Sequence, residues 1–90
     1  MTMEITYDKA KNSKNIDDRG LSFDLVAHID FGTSVIREDI RKNYGEKRFI
    51  IFGYIGDRLH VAVITPRKST VHVIRLRKAN DREVKEYGIK

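Results

Sequence analysis

The chain has 90 residues, 34% of them charged and 40% hydrophobic, with one proline and no cysteine. That length holds one domain, expected to span residues 1–90, and the lack of cysteine excludes disulfides, thiol nucleophiles and Cys-based zinc sites. Formal net charge is +5, all of it after Pro66: Arg67 to Lys90 carries eight Lys or Arg against three acids, while Met1 to Pro66 balances ten against ten. A clustered cationic excess points to a polyanion such as RNA or DNA, because contact with phosphates releases condensed counterions. Alternatively, the same charges solvate a strand end and a terminal helix. No apolar run approaches the roughly 20 residues of a membrane span, and Met1 to Ile5 lacks the apolar stretch of a secretory signal, so a cytoplasmic address without a membrane partner is expected.

In chain order, Glu4 to Tyr7 alternates polar with apolar and predicts a short first strand. Asp8 then caps a polar surface helix over Lys9 to Arg19, with Ala10 and Ile16 as its apolar anchors and Gly20 as its stop. Ser22 caps a second short helix, in which Phe23, Val26 and Ala27 recur at helical spacing and Leu25 and Ile29 repeat at i,i+4. From Ser34 to Glu38 the pattern changes to a weak strand, followed by a loop at Arg41 to Gly45. Three stronger strands are expected at Arg48 to Ile55, Leu59 to Thr65 and Thr70 to Arg77. They are joined by a Gly56-Asp57 hairpin turn and a second turn at Pro66 to Ser69. The runs Phe49 to Phe52 and Val61 to Ile64 are apolar on both faces, which places those strands centrally, under helices on at least one side. Asn80 and Glu83 form a capping box opening a last helix over Asp81 to Tyr87. The order β-α-α-β-β-β-β-α predicts an α+β fold: an antiparallel sheet of four to five strands with helices on one face.

Cleaving RNA requires a group to draw the proton from a 2′-hydroxyl and cations for the charge that builds on phosphorus oxygens. Arginine suits the second task, since its planar fork pairs phosphate oxygens and keeps its charge. Strict alternation on the last strand puts Val71, Val73, Arg75 and Arg77 on one face and His72, Ile74, Leu76 and Lys78 on the other. Arg75 and Arg77 then either clamp phosphate or form surface ion pairs. His60 and His72, on adjacent strands, are within possible reach of one another and of proton transfer near neutrality, unless they complete the core. Glu46 and Arg48, two residues apart, are either a base with a phosphate ligand or a rim ion pair. Tyr87 shares a helix face with Glu83 and either contacts RNA or seals the helix against the sheet. The three histidines lack ligand spacing, so no metal or other cofactor is expected.

Taken together, several stretches resemble the BrnT toxins of bacterial type II toxin–antitoxin modules, a group with a RelE-like ribonuclease fold. They are Tyr7-Asp8-Lys9-Ala10-Lys11 with Asn15, Arg19-Gly20-Leu21-Ser22-Phe23, Glu46-Lys47-Arg48-Phe49 with Gly53, Thr65-Pro66-Arg67, and His72 to Asn80 with Glu83 and Tyr87. The chain departs from the family pattern at Arg19, His72 and Arg75, where His, Arg and Ser are common. The resemblance implies two N-terminal helices and one C-terminal helix on the sheet, metal-free cleavage of RNA, inhibition of translation, and neutralisation by a BrnA-type antitoxin through which alone the complex reaches operator DNA. Taking the residues and the resemblance together, the expected catalytic residues are Glu46, Arg48, His72, Arg77 and Lys78: Arg77 and Arg48 hold the scissile phosphate, Lys78 adds positive potential, and Glu46 or His72 handles protons. Arg67, Arg75, Arg82 and Tyr87 are the expected RNA contacts. The competing expectation is a module that binds nucleic acid or a protein partner and breaks no bond, or one that acts mainly as the structural half of a repressor complex.

Overall fold

The computed structural model describes residues 4–89, so the part of the signal-peptide expectation that falls on Met1–Met3 lies outside the described residues, as does Lys90. Strand β1 (Ile5–Tyr7) leads into α1 (Lys9–Arg19), a 3-10 helix (Phe23–His28) and a shorter 3-10 turn (Phe31–Thr33). Then follow β2 (Val35–Glu38), β3 (Phe49–Ile55), β4 (Arg58–Arg67), β5 (Thr70–Lys78) and α2 (Asp81–Tyr87). The five strands make one sheet in the order β1-β5-β4-β3-β2. All pairs are antiparallel except β1 with β5, which corrects the expected antiparallel sheet at one edge. Tight hairpins force β3, β4 and β5 to alternate in direction, whereas β1 meets β5 only after the rest of the chain, free of that constraint.

Neighbouring residues on a strand point to opposite sides, and here both sides are filled. Ile51, Ala62, Ile64, Val73 and Leu76 pack with Leu21, Phe23, Val26 and Ile29 on what we term the front face. Phe52, Leu59 and Val61 pack with Ala79 and Tyr87 on the back face. Helices therefore cover both sides, not one, because β3 and β4 are apolar on both and each side must leave water.

Two N-terminal expectations are revised. The segment after Ser22 is a 3-10 helix, and its buried residues Phe23 and Val26, followed by buried Ile29, recur every third position, the period of that helix, leaving Ala27 exposed. Helix α1 has the expected bounds, with Asp8 accepting from the Lys11 amide and Gly20 in the left-handed region at φ 70°, yet it buries no residue. Ala10 and Ile16 are exposed; polar side chains do the anchoring. Asn12 Oδ1 accepts from the Phe23 amide at 2.7 Å, and Asn15 Nδ2 donates to the carbonyls of Leu21 at 2.9 Å and Leu76 at 3.1 Å. At the other end of the chain the capping box of Asn80 and Glu83 opens α2. No helix among the described residues is long and apolar enough to cross a membrane.

Candidate functional site

The position of the basic residues turns on one irregularity in β5. Val63 faces Arg75 and Ile64 faces Val73, so Ile74 has no partner on β4 and forms a bulge. One extra residue resets the alternation. Cross-strand partners share a face, so His72 opposite Thr65, Arg75 opposite Val63 and Arg77 opposite Val61 all lie on the back face. This corrects the strict alternation, which separates His72 from the two arginines. Leu76 and Lys78, opposite Ala62 and His60, belong to the front side.

Tyr87 of α2 stacks on Phe52, with centroids 3.8 Å apart and rings 15° from parallel, and so closes one half of the back face. The other half is open, with Val63 and His72 half-buried and Arg67 and Arg75 exposed. Glu46 stands there between two guanidinium groups: its Oε2 is 3.7 Å from Arg48 Nε and its Oε1 is 3.7 Å from Arg67 Nη2. That separation exceeds hydrogen-bonding distance, and the buried Arg48 Nε makes no hydrogen bond within the protein. Neither guanidinium is closed into a hydrogen-bonded pair with Glu46. His72 Nδ1 lies 3.0 Å from Thr6 Oγ1. Burial pushes the His72 pKa below its usual 6.5, the nearby Arg67 cation adds to this, and Glu46 opposes it. The imidazole is consequently neutral at pH 7, the state in which it can accept a proton.

The remaining candidates sit elsewhere or are already engaged. Arg77 gives both ends of its fork to Glu83, Nη1 to Oε1 at 2.8 Å and Nη2 to Oε2 at 2.9 Å, and its charge holds the Glu83 pKa down at about 2. Lys78 is exposed on the front side, and Arg82 is exposed on α2. The Tyr87 hydroxyl accepts from Arg37 Nη1 at 3.0 Å, so with its ring on Phe52 this residue seals the helix against the sheet. His60 is buried on the front side opposite Gly53 and donates from Nδ1 to the Arg58 carbonyl at 2.8 Å. The expected approach of His60 to His72 therefore does not occur, since the sheet lies between them.

Three residues near the cluster escape a reading by sequence spacing. Thr6 reaches His72 only through the parallel pairing that sets them opposite each other. The Tyr44 ring lies under the Arg48 guanidinium, 4.0 Å from its centroid. Its hydroxyl donates to Asp39 Oδ2 at 3.1 Å. Asp39 itself is buried and accepts from Arg41 Nε and Nη2, both at 2.8 Å, and the Arg41 guanidinium holds its carboxyl well below the usual range. The loop before β3 is thereby strapped, and Arg48 is held from below. The one sequence hint is composition: an Asp, an Arg and a Tyr within six residues of a loop that lacks apolar anchors apart from Ile40, which is exposed.

The arrangement is one suited to a phosphodiester: an imidazole, a carboxylate and two guanidinium groups on one half-open face. No curated protein matches the chain significantly. A family model described as "Ribonuclease toxin, BrnT, of type II toxin-antitoxin system" matches residues 7–83, which include every element from α1 to β5 and the cluster itself. The chain therefore belongs to the BrnT family of type II toxin–antitoxin ribonuclease toxins.

Proposed function

We propose that this protein is an endoribonuclease that needs no metal and works at the open half of its back face. The observation that carries this reading is Glu46 set 3.7 Å from both Arg48 and Arg67, too far to close either into a hydrogen-bonded pair, near His72 on the same open half-face. His72 takes the proton of a 2′-hydroxyl as that oxygen attacks phosphorus. Arg48 and Arg67 donate to the two non-bridging oxygens as charge grows on them, and Arg75 holds a neighbouring phosphate. Glu46 keeps the two guanidinium groups apart and aimed. The 5′-oxygen leaves and takes a proton from water, so the products are a 2′,3′-cyclic phosphate and a 5′-hydroxyl, and His72 returns its proton to solvent. Arg77 and Lys78 take no direct part in this scheme: the fork of Arg77 is filled by Glu83, and Lys78 belongs to the other side of the sheet.

Through loss of RNA the protein would inhibit translation, with a BrnA-type antitoxin masking the cationic face and carrying the complex to operator DNA. The fold is read as RelE-like on the same resemblance. Purified protein incubated with long RNA in EDTA is expected to generate new ends. Arg48→Ala or Arg67→Ala should lower the rate by roughly 100- to 1000-fold, as for loss of one transition-state donor elsewhere. RNA that stays intact while binding weakens with salt would instead assign the competing role, a module that holds phosphates without cleaving.

A further inference from the structure

We propose that Thr6 is a positioning residue for His72, fixing which ring nitrogen is free to take the proton. This rests on the assignment of His72 as the base. The geometry comes from backbone pairing: β1 lies parallel to β5 with Thr6 directly opposite His72, and the two side chains meet at 3.0 Å between Oγ1 and Nδ1. A hydroxyl oxygen can accept from an Nδ1–H, and an imidazole whose single proton is held there presents Nε2, on the far side of the ring, as a lone pair. Nε2 is then the acceptor for the 2′-hydroxyl proton. The same bond fixes the rotation of this half-buried ring.

The charged groups that face His72 come from three elements: Arg67 on β4, Glu46 in the loop before β3, and Lys11 and Asp8 at the start of α1. None of these is hydrogen-bonded to the imidazole among the described residues, so the Thr6 hydroxyl is the group that engages Nδ1; as the acceptor there it leaves Nε2 free, whereas as the donor it would leave the proton on Nε2 and the role would fall. A strand of three residues at the sheet edge thereby becomes part of the reaction centre.

Thr6→Val keeps shape and β-branching and removes only the hydroxyl, while Thr6→Ser keeps the hydroxyl. With the fold checked by circular dichroism, Thr6→Val should cut RNA cleavage by about tenfold or more, still less than the ~10⁴-fold lost when a carboxylate holding a catalytic His is neutralised. Long-range ¹H–¹⁵N spectra should show His72 with its proton on Nδ1 in the wild type and in Thr6→Ser, and redistributed in Thr6→Val. The wild-type rate should fall as acid protonates His72, with a midpoint below 6.5, and the midpoint should move in Thr6→Val but not in Thr6→Ser. If His72→Ala is inactive while Thr6→Val keeps the wild-type rate and tautomer, Thr6 has no such role and the base assignment stands. If His72→Ala cleaves normally, the base assignment itself falls and the role of Thr6 falls with it.

Discussion

Two arginines that the sequence offers alike as phosphate ligands end in opposite states. Arg77 lies on the back face with its fork filled by Glu83, whereas Arg48 rests on the ring of Tyr44 with its Nε unbonded. An arginine already paired in bidentate fashion has few donors left for phosphate, so Arg77 acts as the tie that holds α2 to β5. The acid partner carries a pH signature. Glu83 is held at about 2, below its ordinary 4.5, so the pair's stabilisation is full above about 4.5 and disappears as pH falls toward about 2. Glu83→Gln retains an oxygen for the capping box and removes the charge. Its melting temperature should therefore lie below wild type at pH 7, and the two should converge near the folded-state value of about 2. A gap that persists unchanged at that pH would show that the ion pair is not its source.

At the scale of elements, the bulge at Ile74 sets which residues share the open face. Because Ile74 has no partner on β4, its removal leaves Val73 opposite Ile64 and Arg75 opposite Val63 without moving any side chain to the other face. A deletion of Ile74 should therefore still fold cooperatively. Deleting Ala62, which is buried and paired on both sides, inverts one end of the central strand and should abolish folding. Thermal melts of the two deletions separate these outcomes, and collapse of the Ile74 deletion would mean that its side chain, half-buried, is needed for packing. Helix α1 shows a second kind of dependence. It has no buried residue and is held by Asn12 and Asn15, so its attachment follows from hydrogen bonds to particular carbonyl and amide groups and not from an apolar stripe.

For the whole molecule, the net charge of +5 is not delivered to one place. The cationic quarter of the chain is divided among the back face (Arg67, Arg75), the front side (Lys78), a closed ion pair (Arg77) and the surface of α2 (Arg82). With Arg48 and Arg67 on one phosphate and Arg75 on its neighbour, RNA affinity should fall with salt with a log–log slope of about −1.4, at roughly −0.7 per phosphate on single strands. Arg75→Ala, which alone holds the second phosphate, should make that slope shallower by about 0.7, and Lys78→Ala should barely alter it. Equal changes for the two variants, measured by titration at several salt concentrations, would place the RNA on both sides of the sheet. Much of this architecture is legible in the chain alone, because caps, turns and alternating strands are local. Asp8 and Gly20 bound α1, Asn80 with Glu83 opens α2, Gly56 turns the β3–β4 hairpin at φ 63°, and the doubly apolar runs lie in β3 and β4. What tertiary structure alone decides is everything that depends on a partner distant in sequence: the direction of β1, the face on which His72 meets the arginines, and the contact of Thr6 with His72. Local periodicity assigns each side chain to one side of its own strand, but an unpaired residue such as Ile74 resets that assignment, and only the opposing strand reveals it.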